Sequence, residues 1–246
     1  MDAFLSGKKI LVILTNKHEL TRSASEPQRR TGFDVKELAY LYTCIHKKYE
    51  NLQFVFATPS GGEAPIDPES EKHAENDEVV KKFLQNHNVL NKIKNTEKIT
   101  QMRAEEFGAV FIPGGPGCML DLPETMRSNG KLICKVYENR GIIAAIGHGV
   151  SALLNVTKEE HTEGTDYWIK GKKVTAISKE EDRKMGLDKS LPFMLEEKLH
   201  ERGARYEKRQ PFESFVVVDG HLVTGQNPAS SREWVTRIME VCGHRE

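Results

Sequence analysis

Residues 142–146 (Ile-Ile-Ala-Ala-Ile) run without a polar interruption into Gly147-His148-Gly149, and residues 150–154 then resume a helical pattern. A short apolar run with no alternation reads as a strand buried on both faces, which only a sheet covered by helices on both sides provides. A strand, a sharp turn of small residues and a helix make a nucleophile elbow, whose apex residue carries the attacking side chain. Here the apex is Gly147, which has no side chain.

The rest of the chain repeats the same grammar. Residues 9–15 and 109–112 are short, apolar and rich in β-branched residues, and 54–57 form another such run, so these three are expected strands. Residues 33–49 place Phe33, Leu38, Leu41, Ile45 and Tyr49 at helical spacing, with Glu37 in the first half. Residues 76–95 carry one apolar stripe and read as a single surface-packed helix, and 125–139 as another. Residues 168–177 read as extended, 193–202 as a helix, 215–225 as a hairpin turning at Asp219-Gly220, and 230–241 as a last helix. The polar stretch 16–30 lacks periodicity and reads as a mobile lid. Strand–helix–strand units with short glycine turns predict an α/β three-layer sandwich, with a mostly parallel central sheet. Its centre should lie around Ile10, Val110 and Ile143, and its core should include Leu38, Leu41, Phe83, Leu153 and Leu195. No linker or internal repeat divides the 246 residues, so one domain over 1–246 is expected.

Composition excludes some classes of function. Lys plus Arg and Asp plus Glu number 36 each, so there is no basic excess for nucleic acid binding. No stretch resembles a signal peptide or membrane span, which predicts a cytoplasmic protein without membrane insertion. The cysteines Cys44, Cys118, Cys134 and Cys242 are widely spaced and read as free thiols. No His, Cys or Asp cluster has metal-ligand spacing, and the Pro113–Gly117 spacing is not that of a dinucleotide loop; no metal or cofactor is expected.

Gly114, Gly115 and Gly117, with Pro116, follow a strand and face the elbow in the sheet topology. Such a loop aims backbone N–H groups into one crevice, an anion-binding or oxyanion-hole arrangement that needs no side chain. With Gly147 and His148 these residues form the expected binding crevice, for a small anionic or carbonyl ligand. Cys118 after the loop is either a relocated thiol or a small buried residue. Residues 179–184 (Lys-Glu-Glu-Asp-Arg-Lys) read most simply as a solvated charged face.

Residues 112–117, 145–149 and 222–230 together resemble the ThiJ/PfpI superfamily, of class I glutamine-amidotransferase-like, flavodoxin-like fold. The resemblance covers roughly residues 9–241, and 31–42 and 174–199 are similar to its chaperone and glyoxalase III branch. That branch implies a cysteine at the elbow apex followed by histidine, a glutamate after the first strand and an acid after the elbow. Residue by residue, these positions hold Gly147, His148, Glu37 and Asp182, or its neighbour Glu181; Pro116 stands where histidine is frequent. Gly147 and Pro116 together resemble the non-catalytic branch, that of glutamine amidotransferase-like class 1 domain-containing protein 1. This implies a scaffold, assembly subunit or ligand binder, a homo-oligomer, and a place in an endosome-associated complex. On that ground no enzyme activity is expected. The alternative is a cofactor-independent glyoxalase III-like, deglycase-like or hydrolytic enzyme using Glu37 and His148 or the Cys118 thiol, or a chaperone.

Overall fold

The computed structural model describes residues 8–20, 29–49, 51–158 and 166–243. In chain order they form β1 (Lys9–Ile13), β2 (Glu19–Leu20), β3 (Arg29–Arg30), α1 (Val35–Lys48), β4 (Phe54–Thr58), α2 (Pro68–His73), α3 (Glu78–Leu84), α4 (His87–Lys94), β5 (Glu97–Lys98), β6 (Phe107–Ile112), α5 (Cys118–Glu138) and β7 (Ile142–Ile146). A 3-10 segment, Gly147–Leu153, follows, and then β8 (Lys173–Val174), α6 (Lys179–Lys184), α7 (Leu195–Glu201), β9 (Arg205–Tyr206), β10 (Val216–Asp219), β11 (Leu222–Gly225) and α8 (Ser231–Gly243).

The main sheet has the order β10-β11-β7-β6-β1-β4-β5, parallel throughout except for the antiparallel β10–β11 edge. Every residue of β6 and β7 is buried, as their unbroken apolar sequences require. The two faces of the sheet carry separate cores. Leu11, Val110 and Ile143 face α5 and the elbow segment, while Ile10, Val12 and Ala144 face α1 and α8. Leu38, Leu41, Phe83, Leu153 and Leu195 are all buried, and the mostly parallel, helix-covered sheet is the one the sequence predicts.

Several expected elements are corrected. The helix expected over 76–95 is two, because Asn86 accepts the Val89 N–H and starts α4 afresh. Helix α5 begins at Cys118 and runs through Pro123; burial of Met119, Leu122 and Met126 outweighs the hydrogen bond that proline cannot donate. Asp219 pairs with Leu222, so the hairpin loop is Gly220-His221, with Gly220 at φ +60°. Of residues 168–177 only Lys173–Val174 is a strand, paired with β9 in a small separate sheet. The stretch 16–30 is not featureless: β2 and β3 pair antiparallel. The lid expectation otherwise falls on 21–28, outside the described residues.

Candidate active site

The parallel sheet ends at its carboxyl edge in two backbone loops that touch each other. A Cβ at Gly114 would lie 2.6 Å from the Ile146 carbonyl oxygen, and one at Gly149 would lie 2.3 Å from that of Ile112. Only glycine permits this approach, which locks the 113–117 loop against the elbow. Gly147 itself sits at φ +54°, the left-handed conformation an elbow apex imposes.

Glu37 enters this junction from the first turn of α1. Asp34 accepts the Glu37 N–H at 3.1 Å and donates its own N–H to the Gly114 carbonyl at 2.7 Å, which fixes the helix start against the glycine loop. Glu37 is 1% exposed. Its Oε2 accepts the Gly114 N–H at 2.5 Å, and a Cβ at position 147 would lie 2.9 Å from its Oε1. The carboxyl therefore faces the place where an apex side chain would project. Burial pushes Glu37 well above the usual carboxylate range; the neighbouring Asp34 adds to this and the Gly114 N–H opposes it. Asp34 is itself pushed up to about 6, first by burial.

His148 is 5% exposed, and its Nε2 is hydrogen-bonded to Asp182 Oδ1 at 2.9 Å. Asp182 is fully buried, so the run 179–184 is only in part a solvated face: Glu180, Arg183 and Lys184 meet water while Glu181 and Asp182 do not. Its neighbour Glu181 is equally buried but does other work. It closes a capping box with Ser178 and accepts hydrogen bonds from Gln226, Asn227 and the Phe212 N–H. Of the two acids, Asp182 is the one bonded to His148. The side chains alternate between the two sites because α6 presents adjacent residues in different directions.

Glu37, Gly147 and His148 share a cavity of about 570 Å³ with Gly115 and Pro116. Its wall also includes Asp34, Asp67, Glu69, Arg29, Lys184 and Phe212. Gly114 and Gly117 do not line it: the Gly114 N–H is taken by Glu37 and the Gly117 N–H by the Gly32 carbonyl. The expected oxyanion loop is thus partly a cradle for Glu37. Cys118 is no relocated nucleophile either. It is fully buried, outside the cavity wall, with its thiol donating to the Pro113 carbonyl. Burial raises its pKa well above normal, with Asp121 and Glu37 adding to the effect.

Sequence reasoning missed Asp34, although Asp34-x-x-Glu37 before an apolar helix is a start signal. Ser178-x-x-Glu181 likewise marks the α6 N-terminus without revealing that Glu181 and Asp182 are buried. Phe212 carries no local signal. Among the described residues no group of three or more His, Cys, Asp or Glu is placed to hold a metal ion. No helix among them is long and apolar enough to cross a membrane.

A doubly covered sheet with a strand–elbow junction, a buried glutamate facing a side-chain-free apex and a histidine–aspartate pair beside it defines the amidotransferase-like class. The chain belongs to the DJ-1/PfpI family, whose model matches residues 72–241. Its fold superposes on the Rapid Encystment Protein 24 KDa of Francisella tularensis with a TM-score of 0.83 and 32% identity, over 96% of this chain and 99% of that one. The probable glutathione-independent glyoxalase hsp3103 of Schizosaccharomyces pombe is 33% identical over 154 residues, 61% of this chain; the match spans 58% of that relative's length. Bovine glutamine amidotransferase-like class 1 domain-containing protein 1 is 31% identical over 150 residues, 61% of this chain and 66% of that one. Other fission-yeast glutathione-independent glyoxalases align over as much as 87% of their own length. These relatives correct the inference from Gly147 to a chain without activity: several are named as glyoxalase enzymes, and a missing apex thiol removes one chemical route only.

Proposed function

We propose that this chain is a glutathione-independent glyoxalase that isomerises 2-oxoaldehydes to 2-hydroxy acids by acid–base chemistry, without a covalent intermediate. The observation that carries this reading is the placement of Glu37. Its buried carboxyl faces the side-chain-free apex at Gly147, inside a cavity that also holds His148. The glyoxalase relatives supply the substrate class.

The substrate is the hydrate R–CO–CH(OH)₂ that such aldehydes form in water. With R at the apolar end of the cavity, C1 occupies the space that an apex side chain would fill. Glu37 takes the C1 hydrogen as a proton, and the electron pair moves onto the C2 carbonyl oxygen. His148, oriented by Asp182, gives that oxygen a proton, leaving the enetriol R–C(OH)=C(OH)₂. Glu37 then returns its proton to C2, a C1 hydroxyl proton passes back to His148, and R–CH(OH)–COOH remains. Atoms and electrons balance within the hydrate. Burial suits Glu37 to this role, since a base with a raised pKa abstracts a carbon-bound proton more readily.

The test is lactate formation from methylglyoxal by the pure protein. Glu37→Gln should lose about 10²-fold or more in kcat, the scale of one general base. The wild-type rate should rise with pH through the raised Glu37 pKa, because only the ionised carboxylate accepts the proton. A wild-type rate equal to the buffer blank, or a Glu37→Gln rate equal to wild type, overturns the proposal.

A further inference from the structure

The cavity is far larger than the three-carbon aldehyde on which such a reaction is usually assayed. About 570 Å³ falls in the range of pockets for drug-sized ligands, roughly 300–1,000 Å³. Its lining includes the apolar side chains of Ile177, Met185, Leu187 and Phe212. Phe212 stands out in two ways. It is the large apolar residue left exposed among the described residues, at 49%. Its backbone also lies at φ +65°, a left-handed conformation that side chains with a Cβ rarely adopt.

That conformation is held from beneath. The Phe212 N–H donates to the buried carboxylate of Glu181 at 2.9 Å. On either side, the Arg209 N–H donates to Gln226 Oε1 at 2.8 Å and the Glu213 carbonyl accepts from Asn227 Nδ2, also at 2.8 Å. A strained backbone persists where its surroundings over-determine it, and such residues cluster at ligand sites. Here a network of buried polar side chains holds the backbone of an aromatic residue that lines the cavity containing Glu37.

The charges around the cavity narrow the substituent further. Of the two fixed cations in the lining, Lys184 pairs with Glu180 at 2.9 Å, and Arg29 donates to the Met185 carbonyl at 3.4 Å. Asp34, Asp67 and Glu69 line the cavity with Glu37, so carboxyl groups outnumber Arg29 and Lys184, which disfavours an anionic tail.

We infer that Phe212 makes the site selective for 2-oxoaldehydes bearing a neutral aromatic or bulky apolar substituent, over methylglyoxal. This rests on the glyoxalase reading and names its substrate class. The substituent stacks on the Phe212 ring while the hydrated aldehyde carbon lies at Glu37, and the reaction is the same balanced isomerisation, phenylglyoxal hydrate giving mandelate.

The test compares kcat/KM for phenylglyoxal and methylglyoxal. Wild type should favour phenylglyoxal by about tenfold or more, the discrimination an apolar pocket supplies. Phe212→Asn, which keeps a residue tolerant of the left-handed backbone, should collapse that ratio through a higher KM for phenylglyoxal, and Phe212→Tyr should retain it. Calorimetric binding of mandelate and lactate needs no turnover. Mandelate should bind more tightly than lactate, and Phe212→Asn should erase the difference. If neither aldehyde turns over but mandelate is preferred through Phe212, the isomerase reading fails and the selectivity stands. Equal affinities in wild type, or a preference unchanged in Phe212→Asn, overturn the assignment.

Discussion

Asp34 closes the first turn of α1 by accepting the Glu37 N–H, and it does so while buried in the wall of the cavity. Replacing it with Asn keeps the cap, because Asn and Asp cap helices about equally well, and removes the charge. Burial is the main cause that lifts Asp34 from an ordinary 3.8 to about 6, with Asp67 adding and the Glu37 N–H opposing. The folded pKa is raised, so the contribution to stability is full below pH 3.8 and is lost as pH rises through about 6. At about 1.4 kcal/mol per pKa unit, ionised Asp34 costs the folded state on the order of 3 kcal/mol at pH 8. Asp34→Asn should therefore be more stable than wild type by up to about 3 kcal/mol at pH 8, the gain shrinking toward zero near pH 4. Urea unfolding of both proteins across that range measures it. The same substitution removes the second cause of the raised Glu37 pKa, so the acid limb of the pH–rate profile should move to lower pH. A variant less stable than wild type at pH 8, or a stability difference independent of pH, would show that the Asp34 charge is not opposed by its burial.

Two further substitutions probe the junction. Asp182→Asn leaves the His148 ring without its carboxylate partner, and kcat should fall by about 10²–10⁴-fold with little change in KM; a kcat equal to that of the parent would remove Asp182 from the mechanism. Gly147→Cys puts a Cβ at φ +54° and 2.9 Å from Glu37 Oε1, so it should be less stable by about 1–3 kcal/mol in chemical unfolding. Its thiol should be alkylated faster than Cys118, which burial holds protonated, and equal rates would contradict the open apex.

The sequence alone determined the sheet and the absence at its centre. Unbroken apolar runs at 109–112 and 142–146 can only be strands covered on both faces, and Gly147 at the end of one of them removes the nucleophile whatever else the fold does. Glu37 and His148 were legible through their place in a resemblance. What the tertiary structure decided was which charges are buried. Residues 179–184 contain six charged side chains in a row, and no periodicity distinguishes the two that are fully buried from those that meet water. That distinction arises because Ser178 at the start of the helix, and Gln226, Asn227 and His148 from two other segments, bring their hydrogen-bonding groups to Glu181 and Asp182. Likewise Asp34 acquires its raised pKa first from burial and then from Asp67, Gly114 loses its free N–H to Glu37, and Phe212 reaches the cavity from a turn. A residue's burial and ionisation belong to whatever packs against it, and in this fold those partners are distant in the chain.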